Sequence, residues 1–266
     1  MKKLLFTLLF LTLGTAWGGA REDADAAYGR GDYVAAVKLL RPLASAGDAK
    51  AQGKLGWMYS EGLGVTQDYK EAVKWYRLAA EQRDVGAQYN LGVMYRDGQG
   101  VPQDHKEAVK WLRLAAEQGV ADAESNLGYQ YLKGHGVTQD HKEAVKWYRL
   151  AAEQGLADAQ HNLGWMYDQG QGVLQDYKEA VKWYRLAAAQ GNASAQTNLG
   201  LMYAKGQGVL QDYARAHMWF NLASSAGETV NAAKNRDIIA KLMTPQQIQK
   251  AQEMAKACQA SNFKGC

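Results

Sequence analysis

Trp75, Trp111, Trp147, Trp183 and Trp219 stand 36 residues apart along the chain. The pairs Leu55-Gly56, Leu91-Gly92, Leu127-Gly128, Leu163-Gly164 and Leu199-Gly200 keep the same step, as do Tyr59, Tyr95, Tyr131, Tyr167 and Tyr203. Five copies therefore tile residues 48–83, 84–119, 120–155, 156–191 and 192–227. A period of this length marks a stack of repeated supersecondary units, none of which has enough apolar area to fold alone. The core must form between copies, and the two ends must be closed.

Each copy reads as two helices. In the first, Ala51, Leu55, Met58 and Tyr59 share one helical face. The loop Gly62-Leu63-Gly64-Val65 follows, with Val65 as an apolar plug. Asp68 opens the second helix with Glu71 three residues on, which predicts a capping box. The pattern recurs at Asp104/Glu107, Asp140/Glu143 and Asp176/Glu179; Arg215 replaces the glutamate in the last copy. The second helix offers Ala72, Trp75, Tyr76 and Ala79 to the core. Residues 21–47 read as an N-terminal capping repeat of tetratricopeptide length. Residues 228–266 read as a C-terminal helical cap and tail, with Thr244-Pro245 opening a helix whose stripe is Ile248, Ala251, Ala255 and Cys258. The expected fold is all-α: a right-handed α/α solenoid of five 36-residue helix-turn-helix repeats with helical caps at both ends.

Residues 1–20 read as a secretory signal peptide. Lys2 and Lys3 precede the apolar run Leu4–Leu13, and Gly18-Gly19-Ala20 supplies the small residues of a cleavage site before Arg21. The run is shorter than a membrane span requires. With 31 Lys+Arg against 27 Asp+Glu, the charge is too balanced for a nucleic-acid partner. The two cysteines, Cys258 and Cys266, exclude a cysteine-cluster metal site; after export they either form a disulfide or stay free, Cys258 packed on its stripe. His105 and His141 alternate with tyrosine at their repeat position and lie in successive copies, so they do not form a metal site. No metal or cofactor is expected.

Comparison of the copies with one another separates fixed from variable positions. Lys-Glu-Ala-Val-Lys-Trp recurs at 70–75, 106–111, 142–147 and 178–183. The first helices differ at three rows: Gly53, Tyr89, Ser125, His161, Thr197; then Trp57, Val93, Tyr129, Trp165, Leu201; then Ser60, Arg96, Leu132, Asp168, Ala204. These rows share one helical face, opposite Ala51, Leu55 and Met58. Asn90, Asn126, Asn162 and Asn198 precede their Leu-Gly pairs, with Lys54 in that place in the first copy.

Leu-Gly-x-x-Tyr followed by Ala-x-x-x-aromatic resembles the tetratricopeptide motif. The 36-residue period, the missing terminal proline and the loop Gly-x-Gly-Val-x-Gln-Asp are similar to a sister family, the Sel-one-like repeats (SLR). The resemblance covers residues 22–227. It implies an adaptor, with the first helices lining a concave groove. Trp57, Tyr89, Tyr129 and Trp165, together with Arg96, His161 and Asp168, would then either contact a ligand or fill the space between neighbouring first helices. By the same resemblance Asn90, Asn126, Asn162 and Asn198 bond either the backbone of an extended ligand or a neighbouring loop. The expected function is a secreted or periplasmic, non-enzymatic scaffold, monomeric, binding a protein or peptide of the bacterial envelope or of a host. The rival is a β-lactam-binding or hydrolysing protein, as linked to cysteine-rich relatives; Ser261-x-x-Lys264 matches one serine–lysine element, but its companion elements and the relatives' cysteine pairs are absent.

Overall fold

The computed structural model describes residues 19–225, 230–263 and 266; most of the proposed signal peptide lies outside them. The described residues are helical, with no strand. They divide into two compact units, the described residues up to 123 together with 135–137, and residues 124–134 together with the described residues from 138 on.

The first unit holds α1 (19–29), α2 (Tyr33–Ser45), α3 (Ala49–Glu61), α4 (Tyr69–Glu81), α5 (Val85–Asp97) and α6 (His105–Ala116). Helices α3 and α4 pair within the first copy and α5 and α6 within the second; α2 meets α3, and α4 meets α5, across copy boundaries. The core alternates accordingly. One cluster joins Leu40, Leu55, Met58 and Trp75, and the next joins Tyr76, Leu91, Met94 and Trp111. Helix α7 (Ala121–Lys133) begins in the first unit and continues into the second.

The second unit continues with α8 (His141–Glu153), α9 (Ala157–Gln169), α10 (Tyr177–Ala188), α11 (Ala193–Lys205), α12 (Tyr213–Ser225), α13 (Val230–Ala240) and α14 (Pro245–Ala260). Pairs repeat as before, and both α13 and α14 pack on α12 as a cap. Ala255 and Cys258 of α14 join the Tyr184, Trp219 and Phe220 cluster. Thr244 and Gln247 cap α14 reciprocally, Gln247 N–H donating to Thr244 Oγ1 and Thr244 N–H to Gln247 Oε1. Both units are stacks of helix pairs, which is the α/α solenoid class.

Every residue of the loop signature has a structural task. In the second copy Gly98 ends α5 in the left-handed conformation, with φ 71°. Gly100, at φ 72°, lies so close to α4 of the preceding copy that a Cβ would overlap the Tyr69 carbonyl. Val101 packs on the core. The Gln103 amide donates to the Arg96 carbonyl at 2.7 Å, closing the loop. Asp104 then accepts from the Lys106 and Glu107 backbone N–H groups at 2.8 and 3.1 Å.

The capping box expected at the second helices forms only by half. The Asp68 N–H already donates to the Tyr59 carbonyl at 3.0 Å, so it has no need of the Glu71 carboxylate. Glu71 pairs instead with Lys74 at 3.3 Å, and Glu107, Glu143 and Glu179 likewise pair with Lys110, Lys146 and Lys182. Such exposed pairs contribute little, about 0.3–0.5 kcal/mol.

A buried polar ladder also holds the copies in register. Gln52, Gln88, Gln160 and Gln196 are buried at one repeat position. Their amides donate to Ala44, Ala80, Ala152 and Ala188 carbonyls near the ends of the preceding second helices, at 2.9–3.2 Å. Gln82, Gln118 and Gln190 donate in turn to Gln52, Gln88 and Gln160, at 2.7, 2.7 and 2.8 Å. In the third copy this rung is Glu124, 3% exposed, accepting from Gln154 at 2.8 Å. Burial raises the Glu124 pKa above the ordinary carboxylate value, and the Gln154 bond partly opposes the shift.

Candidate binding face of the first helices

The variable face is neither open nor closed. Trp57, Tyr89, Asn90, Arg96, Asn126, His161, Asn162, Trp165, Asp168 and Asn198 are half-buried; Tyr129 alone among them is exposed, at 42%. For Trp57 and His161 the cover comes from a helix of a neighbouring pair.

In the first unit Trp57 meets the Tyr28 ring edge-on, with centroids 5.5 Å apart, and touches the clusters on both sides of it. Lys54, which stands in the asparagine row, pairs with Asp25 at 2.5 Å and lies 4.6 Å from the Tyr28 ring centre. Arg96 grips its neighbour Asp97 with two bonds, at 2.7 and 2.8 Å. The unit also contains a pairing the periodicity does not announce. His105, at the start of α6, stacks on His135, a loop residue of the third copy, with ring centroids 4.8 Å apart.

In the second unit Lys133 lies 5.9 Å from the Tyr129 ring centre. Trp165 packs against the core cluster beside Leu201. His161 and Asn198, predicted on separate rows, meet across copies, Nε2 to Nδ2 at 3.1 Å. His161 also lies 5.9 Å from the Tyr184 ring centre. Burial lowers the His161 pKa, with Asn162 and Asp158 opposing, so the ring is neutral at pH 7 and accepts the Asn198 proton.

Tyr184 is the residue that sequence reasoning missed. It comes from the second helix α10 and is fully buried, its ring lying where a Cβ on Gly164 would clash at 2.8 Å. Its hydroxyl reaches the first-helix layer and faces Asp168 and Asn198. Burial and the Asp168 charge both push its pKa up, so it stays a neutral phenol. The same row is Tyr76, Leu112, Tyr148, Tyr184 and Phe220. That alternation between a hydroxyl and none is the signal that could have found it. Ser60 faces the Tyr76 hydroxyl at 3.5 Å, whereas the Tyr148 hydroxyl has no hydrogen-bond partner among the described residues.

Cys258 and Cys266 are joined in a disulfide, Cα–Cα 5.6 Å. The Ser261 hydroxyl donates to the Cys258 carbonyl at 2.9 Å, and Lys264 lies outside the described residues. Among the described residues no group of three His, Cys, Asp or Glu side chains is placed to hold a metal, and no helix is long and apolar enough to cross a membrane.

Comparison with known proteins agrees with this geometry. The Sel1 repeat pattern matches residues 49–84, 85–120, 121–156, 157–192 and 193–228. Among solved structures the chain is similar to a Sel1 repeat protein from Oxalobacter formigenes, with 37% identity over 89% of this chain and 96% of that one, and a TM-score of 0.77. It is also similar to a protective antigen of uropathogenic Escherichia coli strains that displays an SLR fold, with 28% identity over 93% of this chain and 70% of that one, and a TM-score of 0.55. A comparison with curated proteins found no match.

Proposed function

Since the chain belongs to the Sel1 repeat family, whose fold is a protein–protein interaction scaffold, we propose that it is an exported, non-enzymatic binding module that holds a protein or peptide segment against its first helices. One observation carries this reading. Second helices repeat almost without change, while the first-helix face opposite the core changes from copy to copy and presents half-buried Trp57, Tyr89, Arg96, Trp165 and Asp168. Aromatic and arginine side chains that combine partial burial with remaining exposure are the type that dominates binding energy. Export to the periplasm or beyond is supported by the charged and apolar start of the sequence and by a disulfide, a bond that persists in oxidising compartments. A partner from the bacterial envelope or from a host fits that location, and the chain acts as a monomer.

The test has two parts. N-terminal sequencing of the exported fraction should find Arg21 first; an intact Met1 in the cytosol refutes export. Crosslinking capture from envelope and host-cell extracts supplies the partner. Trp57→Ala and Trp165→Ala should each weaken its binding by ~2 kcal/mol or more, the range of dominant interface residues. Lys70→Ala and Lys142→Ala, on the repeated second helices, should change it by less than ~0.5 kcal/mol. The opposite ranking refutes the first-helix face.

A further inference from the structure

A pocket of about 230 Å³ opens in the second unit between the first helices of the fourth and fifth copies. Asp168 and Tyr177 line one side of it, Asn198, Lys205 and Gln207 the other. That volume is below the range of drug-sized ligand sites and suits a single side chain.

Three features define what it can take. The first is Asp168, the one carboxylate in its variable row. Its side chain accepts from Gln169 at 3.0 Å, and among the described residues no cation pairs with it. The second is the Tyr184 hydroxyl, fully buried behind the pocket wall and facing Asp168 and Asn198, which line the pocket. It stays a neutral phenol and so adds no charge beside the Asp168 carboxylate. The third is the state of the surrounding donors. The Gln175 amide nitrogen is engaged by the Asp168 carbonyl at 2.8 Å, and the Asn198 amide is engaged by His161 at 3.1 Å. Burial keeps His161 neutral. The pocket thus offers the Asp168 carboxylate, with Lys205 as its one lining cation.

We propose that this pocket is a subsite for a cationic side chain of the bound segment, with an arginine guanidinium as the preferred occupant. The inference rests on the first-helix face being the binding face. Tyr184 directs its hydroxyl proton at Asp168 from behind the wall and so positions the carboxylate. The guanidinium fork meets the Asp168 carboxylate through two parallel bonds, the geometry in which arginine exceeds lysine. An anionic group would have to sit against Asp168 with only Lys205 to hold it. The equivalent positions Ser60, Arg96, Leu132 and Ala204 lack the carboxylate, so the selectivity belongs to this copy boundary alone.

The probe is a blocked tripeptide, acetyl-Gly-Arg-Gly-amide, titrated into the isotope-labelled full chain by NMR, with the citrulline peptide as its neutral isostere. The arginine peptide should give saturable shifts at the Asn198 side-chain amide and at Leu201 and Met202. The citrulline peptide, and the arginine peptide on D168N, should bind at least about tenfold more weakly, as expected for a lost charge-assisted contact. Y184F, which keeps the ring as Phe220 does in the next copy, should weaken binding while leaving the remaining spectrum intact. K205Q should strengthen it, since a like charge leaves the rim; an anion site would weaken.

Equal binding of the two peptides, weaker binding on K205Q, or no saturation at about 20 mM, where even a millimolar site fills, overturns the subsite. If the subsite fails while partner capture still depends on Trp57 and Trp165, the binding face stands. If the tryptophan variants leave capture unchanged, the face itself is wrong.

Discussion

Glu124→Gln should stabilise the protein at neutral pH and leave it unchanged in acid. The other four copies place a glutamine on this rung, where the amide nitrogen donates to a carbonyl and, in Gln52, Gln88 and Gln160, the amide oxygen accepts from the glutamine 30 residues on. An ionised Glu124 keeps the acceptor role toward Gln154 and loses the donor role. It also holds a charge at a site that is 3% exposed. Restoring the donor and removing the buried charge is worth about 1–3 kcal/mol. For a chain of this size that is about 2–4 °C of melting temperature per kcal/mol.

The pH dependence follows from the direction of the shift. Burial raises the folded-state pKa of Glu124 above its unfolded value of 4.5, so the folded state favours the protonated acid. The associated stability is fully present below 4.5 and is lost as pH rises through the folded pKa. Denaturant melts followed by tryptophan fluorescence across that range should show wild type and variant converging in acid and separating toward neutrality. The converse substitution, Gln88→Glu, should destabilise by a similar amount at pH 7 and regain stability in acid. A Glu124→Gln variant that is weaker at pH 7, or a difference that does not change with pH, refutes the ladder argument.

Gly98→Ala should cost about 1–2 kcal/mol, the strain of a left-handed residue, because its new Cβ meets nothing nearer than 3.3 Å. Gly100→Ala should cost at least about 1–3 kcal/mol more, since overpacking adds to the same strain and the clash is with the backbone at Tyr69; equal losses in urea melts would show that the second glycine does not dock the copies. Tyr148→Phe should be neutral or stabilising by up to about 1–3 kcal/mol, because it removes a buried hydroxyl that has no partner, and a loss of stability in calorimetry refutes this. His217 replaces the valine of the other copies, is 3% exposed and faces Arg236 and Asp237 of the cap. Burial, then Arg236, lowers its pKa below 6.5 against the opposing Asp237, so the neutral ring is favoured in the folded state. The stability is present above 6.5 and is lost as pH falls through the folded pKa. His217→Val should remove that acid loss, read as hydrogen exchange in α13 and α14 on either side of the transition.

What the sequence made legible was whatever repeats. Trp75, Leu55 and Ala51 recur at one step because each copy builds the same local core, so their burial and the helix-loop-helix unit follow from spacing alone. Three kinds of feature were hidden. The glutamine ladder looks like a solvent-facing row, since a glutamine in a helix is ordinarily exposed; its burial depends on a carbonyl eight residues back and an amide 30 residues on. The capping box was misread because the competing acceptor of the Asp68 N–H is Tyr59, across the loop. His105 with His135, and Tyr184 with Asp168, pair different helices or copies, so no window along one helix brings them together.

Selectivity on such a frame has to come from departures from the repeat. A face that recurs unchanged every 36 residues presents the same chemistry at every step and cannot fix the register of a bound segment. The first-helix rows break that symmetry one copy at a time: Trp57 and Lys54 beside α1, Arg96 in the second copy, Tyr129 in the third, His161 and Asp168 in the fourth. Some departures lower stability, as buried Glu124 does by leaving a carbonyl of the ladder without its glutamine donor and holding a charge out of water. Asp168 is of the other kind, since it is unique in its row and lies on the wall of an open pocket. A copy boundary that is chemically unique and open is where a bound segment can be held in one register, because the carboxylate it offers stands nowhere else in that row.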